Sequence, residues 1–175
     1  MYEFSLKKAD PELKALGIHT DDLRFNYGEV AEHLNNCKAS GDEEGFYETM
    51  RWMSEQDLFF LCYFVLDLPV NDPFLIARIY EVQNLHHFTV DLWSREHFKS
   101  SVLSFGLTIW QLIHNPEERI CLFSHTRVMA KNHLRRIKQT LEQNIILHKA
   151  FPDIFFANPA IASSMLLSKT SHTMW

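Results

Sequence analysis

The stretch 88–126 constrains the fold more than any other part of the chain. Residues 88–93 alternate apolar with polar or bulky side chains and are rich in residues that favour strands, which predicts a β-strand. The segment 101–115 is apolar on nearly every side, which predicts a helix buried against a sheet. A short apolar run from Ile120 to Phe123 is typical of a parallel strand covered on both faces. Strand, turn, helix and strand in this order make one βαβ unit, so the stretch predicts an α/β fold.

The turn between the first strand and this helix holds the residues that point to chemistry, Ser94-Arg95-Glu96-His97-Phe98-Lys99-Ser100. It keeps the Lys-Ser end of the phosphate-binding motif G-x-x-x-x-G-K-[ST], while Trp93 and Phe98 replace its two glycines. In such a loop Lys99 reaches the β- and γ-phosphates, and the Ser100 hydroxyl coordinates Mg²⁺. The backbone N–H groups of 95–100 would surround the β-phosphate at the N-terminal end of the helix. Because a Lys-Ser pair is common, an ordinary turn with a solvated Lys99 remains the alternative.

Several segments of the chain resemble the large subunits of bacteriophage terminases. They are DLWSREHFKSS (91–101), ICLFSHTRVMAK (120–131), FPDIFFANP (151–159) and NDPFLIARIYEVQ (71–83). The resemblance covers roughly residues 55 to 160. The glycine-poor turn S-R-x-x-x-K-S is itself typical of that family, so the feature that weakens a general phosphate-loop prediction strengthens this one.

The resemblance implies a motor that packages double-stranded DNA into the procapsid, with an N-terminal ATPase and a C-terminal metal-dependent nuclease. Its ATPase is a P-loop NTPase with a RecA-like parallel sheet, and ATP and Mg²⁺ are its cofactors. Carried over by position, Lys99 and Arg95 are catalytic and Ser100 holds Mg²⁺ through its hydroxyl. An arginine at position 95 would neutralise charge on the γ-phosphate; a surface ion pair with Glu96 or another acid is the alternative. The implied ATP-binding residues are Ser94, Arg95, Glu96, His97, Phe98, Lys99, Ser100 and Ser101.

The same resemblance implies partners and a location for the full-length protein. The partners are double-stranded DNA, the portal and the small terminase subunit, and the location is the host cytoplasm, with no membrane contact. In this family the segment before the loop helps to seat the adenine. Phe74, Tyr80 and Gln83 are the candidates for that contact, although each is more often a packing residue.

The chain lacks an acidic pair at the end of a second strand, which a P-loop ATPase uses to hold Mg²⁺ and to polarise the attacking water. Downstream of Ser101 the carboxylates are Glu117, Glu118, Glu142 and Asp153, and none of them follows a predicted strand. We therefore expect a truncated terminase large subunit, with Walker A present and with Walker B and the nuclease domain absent. Whether it is an enzyme stays open, because such a piece would be inactive alone. The alternative is a non-catalytic prophage remnant that keeps the P-loop scaffold.

The expected organisation is an N-terminal helical segment, 1–70, followed by a partial P-loop ATPase domain, 71–175. Strands are predicted at 88–93, at 119–124 and at 154–156, which leaves the parallel sheet incomplete. Helices are predicted at 55–67, where Ser54 and Asp57 resemble a capping box, and at 73–83 after Asp72 and Pro73. The N-terminal segment contains ASGDEEG (39–45), a flexible turn or short linker.

The charge of the chain is unevenly distributed around its net value of −5. Residues 1–60 hold thirteen acidic and six basic residues, whereas 127–149 hold six basic residues and one acid. The basic segment has the spacing of a helix, with an apolar stripe formed by Ala130, Leu134, Ile137, Leu141 and Ile145 and a basic stripe formed by Arg127, Lys131, Arg135 and Lys138. The basic stripe is either a surface that follows DNA phosphates or a solvated helix face, and the acidic chain as a whole argues against autonomous nucleic-acid binding.

The cysteines and histidines point to no bound metal. Cys37, Cys62 and Cys121 are isolated in the sequence, which suits a reducing compartment and predicts no disulfide framework. Among the ten histidines, His33 lies four residues before Cys37, a helical spacing that a metal site could use. No second pair accompanies them.

Overall fold

The computed structural model describes residues 1–5, 23–84, 93 and 97–155, and every regular element in these residues is helical. The first four helices are α1 (Tyr27–Ser40), α2 (Glu43–Gln56), α3 (Leu58–Phe60, continued by the π-helical segment Leu61–Val65) and α4 (Pro73–Gln83). Helix α5 begins with Lys99–Ser101, continues as the π-helical segment Val102–Gly106 and ends with Leu107–His114. The last three are α6 (Arg127–Gln143), α7 (Ile145–Ala150) and α8 (Pro152–Phe155).

The connection between α1 and α2 is built as the turn residues predict. Gly41 ends α1 in the left-handed conformation, with φ 75°, which a residue without Cβ adopts readily. The next residue, Asp42, accepts a hydrogen bond of 3.0 Å from the backbone N–H of Gly45 and so caps α2. The predicted turn is therefore confirmed at Gly41 and Asp42, while the other residues of 39–45 belong to the two helices.

The helix predicted over 73–83 is confirmed at both ends. Asp72 caps it by accepting from the N–H of Phe74 at 3.0 Å, and Pro73 occupies the first turn, where its missing N–H costs nothing. The helix predicted over 55–67 is wrong at its start. Asp57 has an extended backbone that separates α2 from α3, so the side chain caps α3 rather than completing a capping box.

Helix α3 lies at the centre of the core. All its residues from Leu58 to Val65 are buried except Tyr63, which is half-buried. It contacts α2 and α4, and its π-helical segment packs against the π-helical segment of α5. The N-terminal residues Tyr2 and Phe4 pack against this core, and Tyr2 exchanges two hydrogen bonds of 2.8 Å with the side chain of Asn35 in α1.

The prediction of an α/β fold with a parallel sheet is wrong, because the described residues contain no strand. Residues 119–124, predicted as a strand, take part in none of the backbone hydrogen bonds among the described residues, and Phe123 is 94% exposed. A parallel strand needs a neighbour that supplies its ladder, and here the apolar helix faces pack against one another instead. The strand predicted at 88–93 lies outside the described residues except for Trp93.

The strand predicted at 154–156 is also wrong over the two residues described. Ile154 and Phe155 belong to α8, whose first residue is Pro152, and the fixed φ of proline suits the first turn of a helix. Arg51 of α2 holds this helix through two hydrogen bonds to the Asp153 carboxylate, at 2.8 and 3.0 Å. Such a bidentate pair fixes orientation as well as distance.

The predicted basic helix over 127–149 divides into α6 and α7. Asn144 interrupts it with an extended backbone, caps α7 through the N–H of Leu147 at 3.1 Å, and donates to the carbonyl of Val65 at 2.9 Å. Ile137 and Leu141 are buried as the apolar stripe predicts. Ile145 follows the interruption and is 67% exposed, so its place in the stripe was wrong. None of the described helices combines the length and the apolar character of a membrane-spanning segment.

The two π-helical segments meet at a glycine. A Cβ added to Gly106 would lie 2.5 Å from the Cys62 sulfur, a distance that real side chains essentially never show. Both residues are buried, so neither can move toward solvent. Gly106 therefore permits α5 to approach α3 closely.

We expect Gly106→Ala to destabilise the protein by about 1–3 kcal/mol, because the new methyl group overpacks this contact. In a Cys62→Ala background the same substitution should cost much less, since the sulfur that it meets is gone. Urea unfolding of the four proteins in this double-mutant cycle measures the coupling. An equal cost of Gly106→Ala in both backgrounds would contradict the contact.

Candidate functional site

The predicted phosphate loop leads directly into α5. Phe98, which stands at the position of the second glycine of the motif, has a left-handed backbone with φ 53° and ψ 16°. Glycine adopts this conformation without strain, whereas few other residues do. The next residue, Lys99, opens the helix, and no side chain caps it. A left-handed residue beside a helix start turns successive N–H groups toward one side, which is the geometry of an anion-binding nest.

The side chains at the start of α5 differ in exposure. Lys99 and Ser100 are exposed, so both are accessible to a ligand. Ser101 is half-buried and accepts a hydrogen bond of 3.3 Å from the guanidinium of Arg136 in α6. Arg136 also lies over the ring of Phe105, 4.0 Å from its centroid. The start of α5 therefore has two cationic side chains, one from its own first turn and one from α6.

Arg136 is a residue that the sequence reasoning missed at this site. It belongs to α6, 35 residues from Ser101 along the chain, and no motif connects the two. Its ring contact with Phe105 and its bond to Ser101 fix the guanidinium beside the helix start. Only the packing of α6 on the π-helical segment of α5 brings it there.

The predicted site residues Ser94, Arg95 and Glu96 lie outside the described residues. The other predicted ATP-binding residues, His97, Phe98, Lys99, Ser100 and Ser101, are consecutive and form the junction with α5. The role of Arg95 on the γ-phosphate stays a prediction, as do the roles of Lys99 and Ser100.

The three adenine candidates take different positions. Phe74 contacts the ring of His97, with 5.4 Å between the ring centroids, and so adjoins the loop. The amide of Gln83 instead accepts from the N–H of Leu58 at 3.0 Å and donates to the carbonyl of Gln56 at 2.8 Å. Its polar atoms hold the connection between α2 and α3. The Tyr80 hydroxyl bonds to that of Tyr27 in α1. Of the three candidates, Phe74 is the one observed in contact with the loop.

Ligands for a protein-held metal are sparse among the described residues. In the described ranges, no group of three or more His, Cys, Asp and Glu side chains could hold a metal ion. His33 and Cys37 do meet, with 3.6 Å between Nε2 and the sulfur, but no third ligand joins them there. A Mg²⁺ ion at the Ser100 hydroxyl would take its other ligands from phosphate oxygens and water, as this ion commonly does.

The predicted downstream acids have other contacts. Glu142 pairs with Lys138 at 3.6 Å, and Asp153 is held by Arg51. Glu118 accepts from the side-chain amide of Asn115 at 2.8 Å.

A second polar cluster lies within the core and was not predicted. Asp57 is fully buried and accepts hydrogen bonds from the N–H groups of Phe59 and Phe60, at 3.1 and 3.2 Å, and from the Tyr27 hydroxyl at 2.5 Å. Since Tyr27 donates to this carboxylate, it accepts from the hydroxyl of Tyr80, with which it makes a short contact.

Burial has the largest effect on the pKa values of Asp57 and Tyr27 in this cluster. Burial raises the pKa of Asp57 above its ordinary value, and it outweighs the Tyr27 hydroxyl and the two N–H donors, which lower it. Burial, together with the adjacent Asp57 carboxylate, raises the pKa of Tyr27 as well. Perturbed pKa values often mark functional sites. Here the carboxylate is closed to solvent and satisfied by three donors, so we assign it to the core.

Comparisons of the chain with protein-family models, with curated proteins and with solved structures found no match.

The raised pKa of Asp57 predicts how stability depends on pH. Between the ordinary Asp pKa of about 4 and the higher pKa in the folded state, the folded chain binds more protons than the unfolded chain. The free energy of unfolding should therefore fall as pH rises through this window. Asp57→Asn should remove the slope, as measured by urea unfolding at a series of pH values.

Asp153→Asn is the matched control with the opposite sign. Arg51 lowers the pKa of Asp153, so this acid stabilises the fold above its ordinary pKa and loses that effect as pH falls. Its exposed position makes the contribution small. A pH slope in the Asp57→Asn protein equal to that of the parent would contradict the raised pKa of Asp57.

Proposed function

We propose that this chain binds the phosphates of ATP at the start of α5, as the nucleotide-binding portion of a phage terminase large subunit. The observation that carries the proposal is the left-handed backbone of Phe98 immediately before an exposed Lys99 and Ser100. Lys99 and Ser100 then open the helix, so a phosphate bound there would meet both the ammonium and the first N–H groups of the helix. Phosphate binding here needs the turn and the helix, and it does not depend on the sheet that was predicted.

Each residue of the junction has a distinct part in this function. Lys99 supplies a charge-assisted hydrogen bond to the β- and γ-phosphate oxygens. Ser100 offers its hydroxyl to a Mg²⁺ ion that accompanies the nucleotide, and this ion would neutralise phosphate charge. Arg136 adds a second positive charge from α6, held in place by Phe105 and Ser101.

The resemblance to terminases supports the cellular part of the proposal. Two of the four segments that carry it are 91–101, which leads into α5, and 120–131, which follows α5. The full-length motor would act in the host cytoplasm on double-stranded DNA, together with the portal and the small terminase subunit. A non-catalytic prophage remnant that retains only a nucleotide or partner surface is the second candidate.

Lys99→Ala should weaken ATP binding by about 2–4 kcal/mol, or roughly 30-fold or more in Kd, because it removes an ammonium paired with phosphate. Isothermal titration of both proteins with MgATP measures the change. Lys138→Ala is the matched control, since this lysine lies in α6 and pairs with Glu142. Equal affinity of Lys99→Ala and the parent for ATP would exclude the site.

The 175-residue chain should hydrolyse ATP no faster than the uncatalysed background even when it binds the nucleotide. Metal placement and water positioning carry most of the catalysis in phosphoryl transfer. Two of the downstream acids, Glu142 and Asp153, are instead held in ion pairs with Lys138 and Arg51. Phosphate release by the purified chain with Mg²⁺ is the measurement. Turnover that disappears in Lys99→Ala would contradict this expectation and would assign the role to an acid such as Glu117 or Glu118.

A further inference from the structure

Helices α1 and α2 form an open groove with an apolar floor and acidic sides. Its volume is about 670 Å³, and its lining residues are Glu29, Val30, His33, Glu48, Thr49, Trp52 and Met53. Trp52 is 53% exposed, which is unusual for so large an apolar side chain. An exposed aromatic residue with polar residues around it is the common anatomy of a protein interface.

The two carboxylates of the groove, Glu29 and Glu48, are exposed and pair with no cation among the described residues. Other acids of the same helices do pair: Glu55 contacts Arg51 at 3.1 Å, and Glu43 contacts Lys149 at 3.1 Å. The groove thus keeps uncompensated negative charge around an apolar floor. A complementary partner would carry cations around an apolar side chain.

The outer face of α6 has this composition. Arg127, Lys131 and Arg135 follow one another at four-residue spacing, and all three are exposed. Val128, seven residues before Arg135, lies on the same face and is 68% exposed. Within the described ranges these three cations form no ion pair with a carboxylate. The opposite face of α6, with Ile137, is buried in its own chain.

We propose that the groove between α1 and α2 binds the outer face of α6 from a second copy of this chain. Val128 would pack against Trp52, while the cations around Val128 would face Glu29 and Glu48. The charges match in sign, and each copy offers both surfaces. The contact is therefore head-to-tail, and further copies can add to either end unless the arrangement closes into a ring.

Double-stranded DNA is the competing occupant of the basic face of α6. The net charge of −5 makes the chain as a whole repel a polyanion, whereas it presents no obstacle to a local contact between oppositely charged surfaces. The acidic groove would also stay without a partner if α6 bound DNA. A second copy would cover both the acidic groove and the basic face of α6, whereas DNA would cover only the basic face.

The experiment is a charge exchange between the two surfaces. The groove variant carries Glu29→Lys and Glu48→Lys, and the helix variant carries Lys131→Glu and Arg135→Glu. Light scattering after size-exclusion chromatography should show the parent as oligomers at low salt that dissociate as salt rises, because exposed charges are screened. Each variant alone should be monomeric, and an equimolar mixture of the two should associate again.

Three controls make the outcome decisive. The variant Glu117→Lys with Glu118→Lys makes the same change in net charge away from the groove, and it should associate like the parent. Lys99→Ala should also associate like the parent, which separates this contact from nucleotide binding. Circular dichroism establishes that each variant keeps its helices; for a variant that does not, Val128→Ser in place of the helix substitutions should reduce association.

A second measurement identifies the contact directly. Carbodiimide cross-linking of a mixture of unlabelled and ¹⁵N-labelled chains should join Lys131 of one isotope form to Glu48 of the other. A parent that stays monomeric at low salt, a mixture of the two variants that stays monomeric, or cross-links confined to single chains would each overturn the proposal. Binding of a short DNA duplex by monomeric protein, lost in the helix variant, would overturn it in favour of DNA.

Discussion

One buried carboxylate connects four helices of the described structure. Asp57 separates α2 from α3, caps α3 through two N–H groups, and accepts from Tyr27 of α1, which in turn accepts from Tyr80 of α4. A buried acceptor that satisfies three donors is costly to remove, because each orphaned donor loses about 1–3 kcal/mol. This placement of α3 sets the position of its π-helical segment, on which the corresponding segment of α5 packs. Packing in the core therefore sets the position of the start of α5, where the proposed phosphate site lies.

Elements whose ends are marked by local chemistry could be predicted from the sequence. Asp72 with Pro73 identifies the start of α4, and Asn115 before Pro116 identifies the end of α5, because each acts through its own backbone or its near neighbours. Local chemistry could not decide whether 119–124 forms a strand. An apolar run forms a strand only if another segment supplies hydrogen bonds, and periodicity does not distinguish such a run from other buried segments. Asn144 escaped prediction for a similar reason, since its bond to Val65 joins distant parts of the chain.

The residues of the candidate site also differ in whether a local sequence signal identified them. Lys99 and Ser100 became candidates because the motif places them next to each other. The structure adds that Phe98, where the motif has a glycine, adopts the left-handed backbone that glycine favours. Arg136 had no local signal, because its relation to Ser101 exists only after α6 packs on α5. The sequence showed an excess of negative charge in the first sixty residues, but it did not predict the groove. Which of those acids stay unpaired became clear from the ion pairs that the others form.

Phosphate binding at the start of α5 is the event on which the proposed function depends, and amide chemical shifts measure it at the residues themselves. In a ¹⁵N–¹H titration with MgATP, we expect saturable shifts in the backbone amides of Lys99, Ser100 and Ser101, with smaller shifts around Arg136. The amides of α1 and α2 should stay in place, and adenosine, which has no phosphates, should shift none of the first group. Shifts confined to other helices, or equal shifts with adenosine and with ATP, would contradict a phosphate site at this junction.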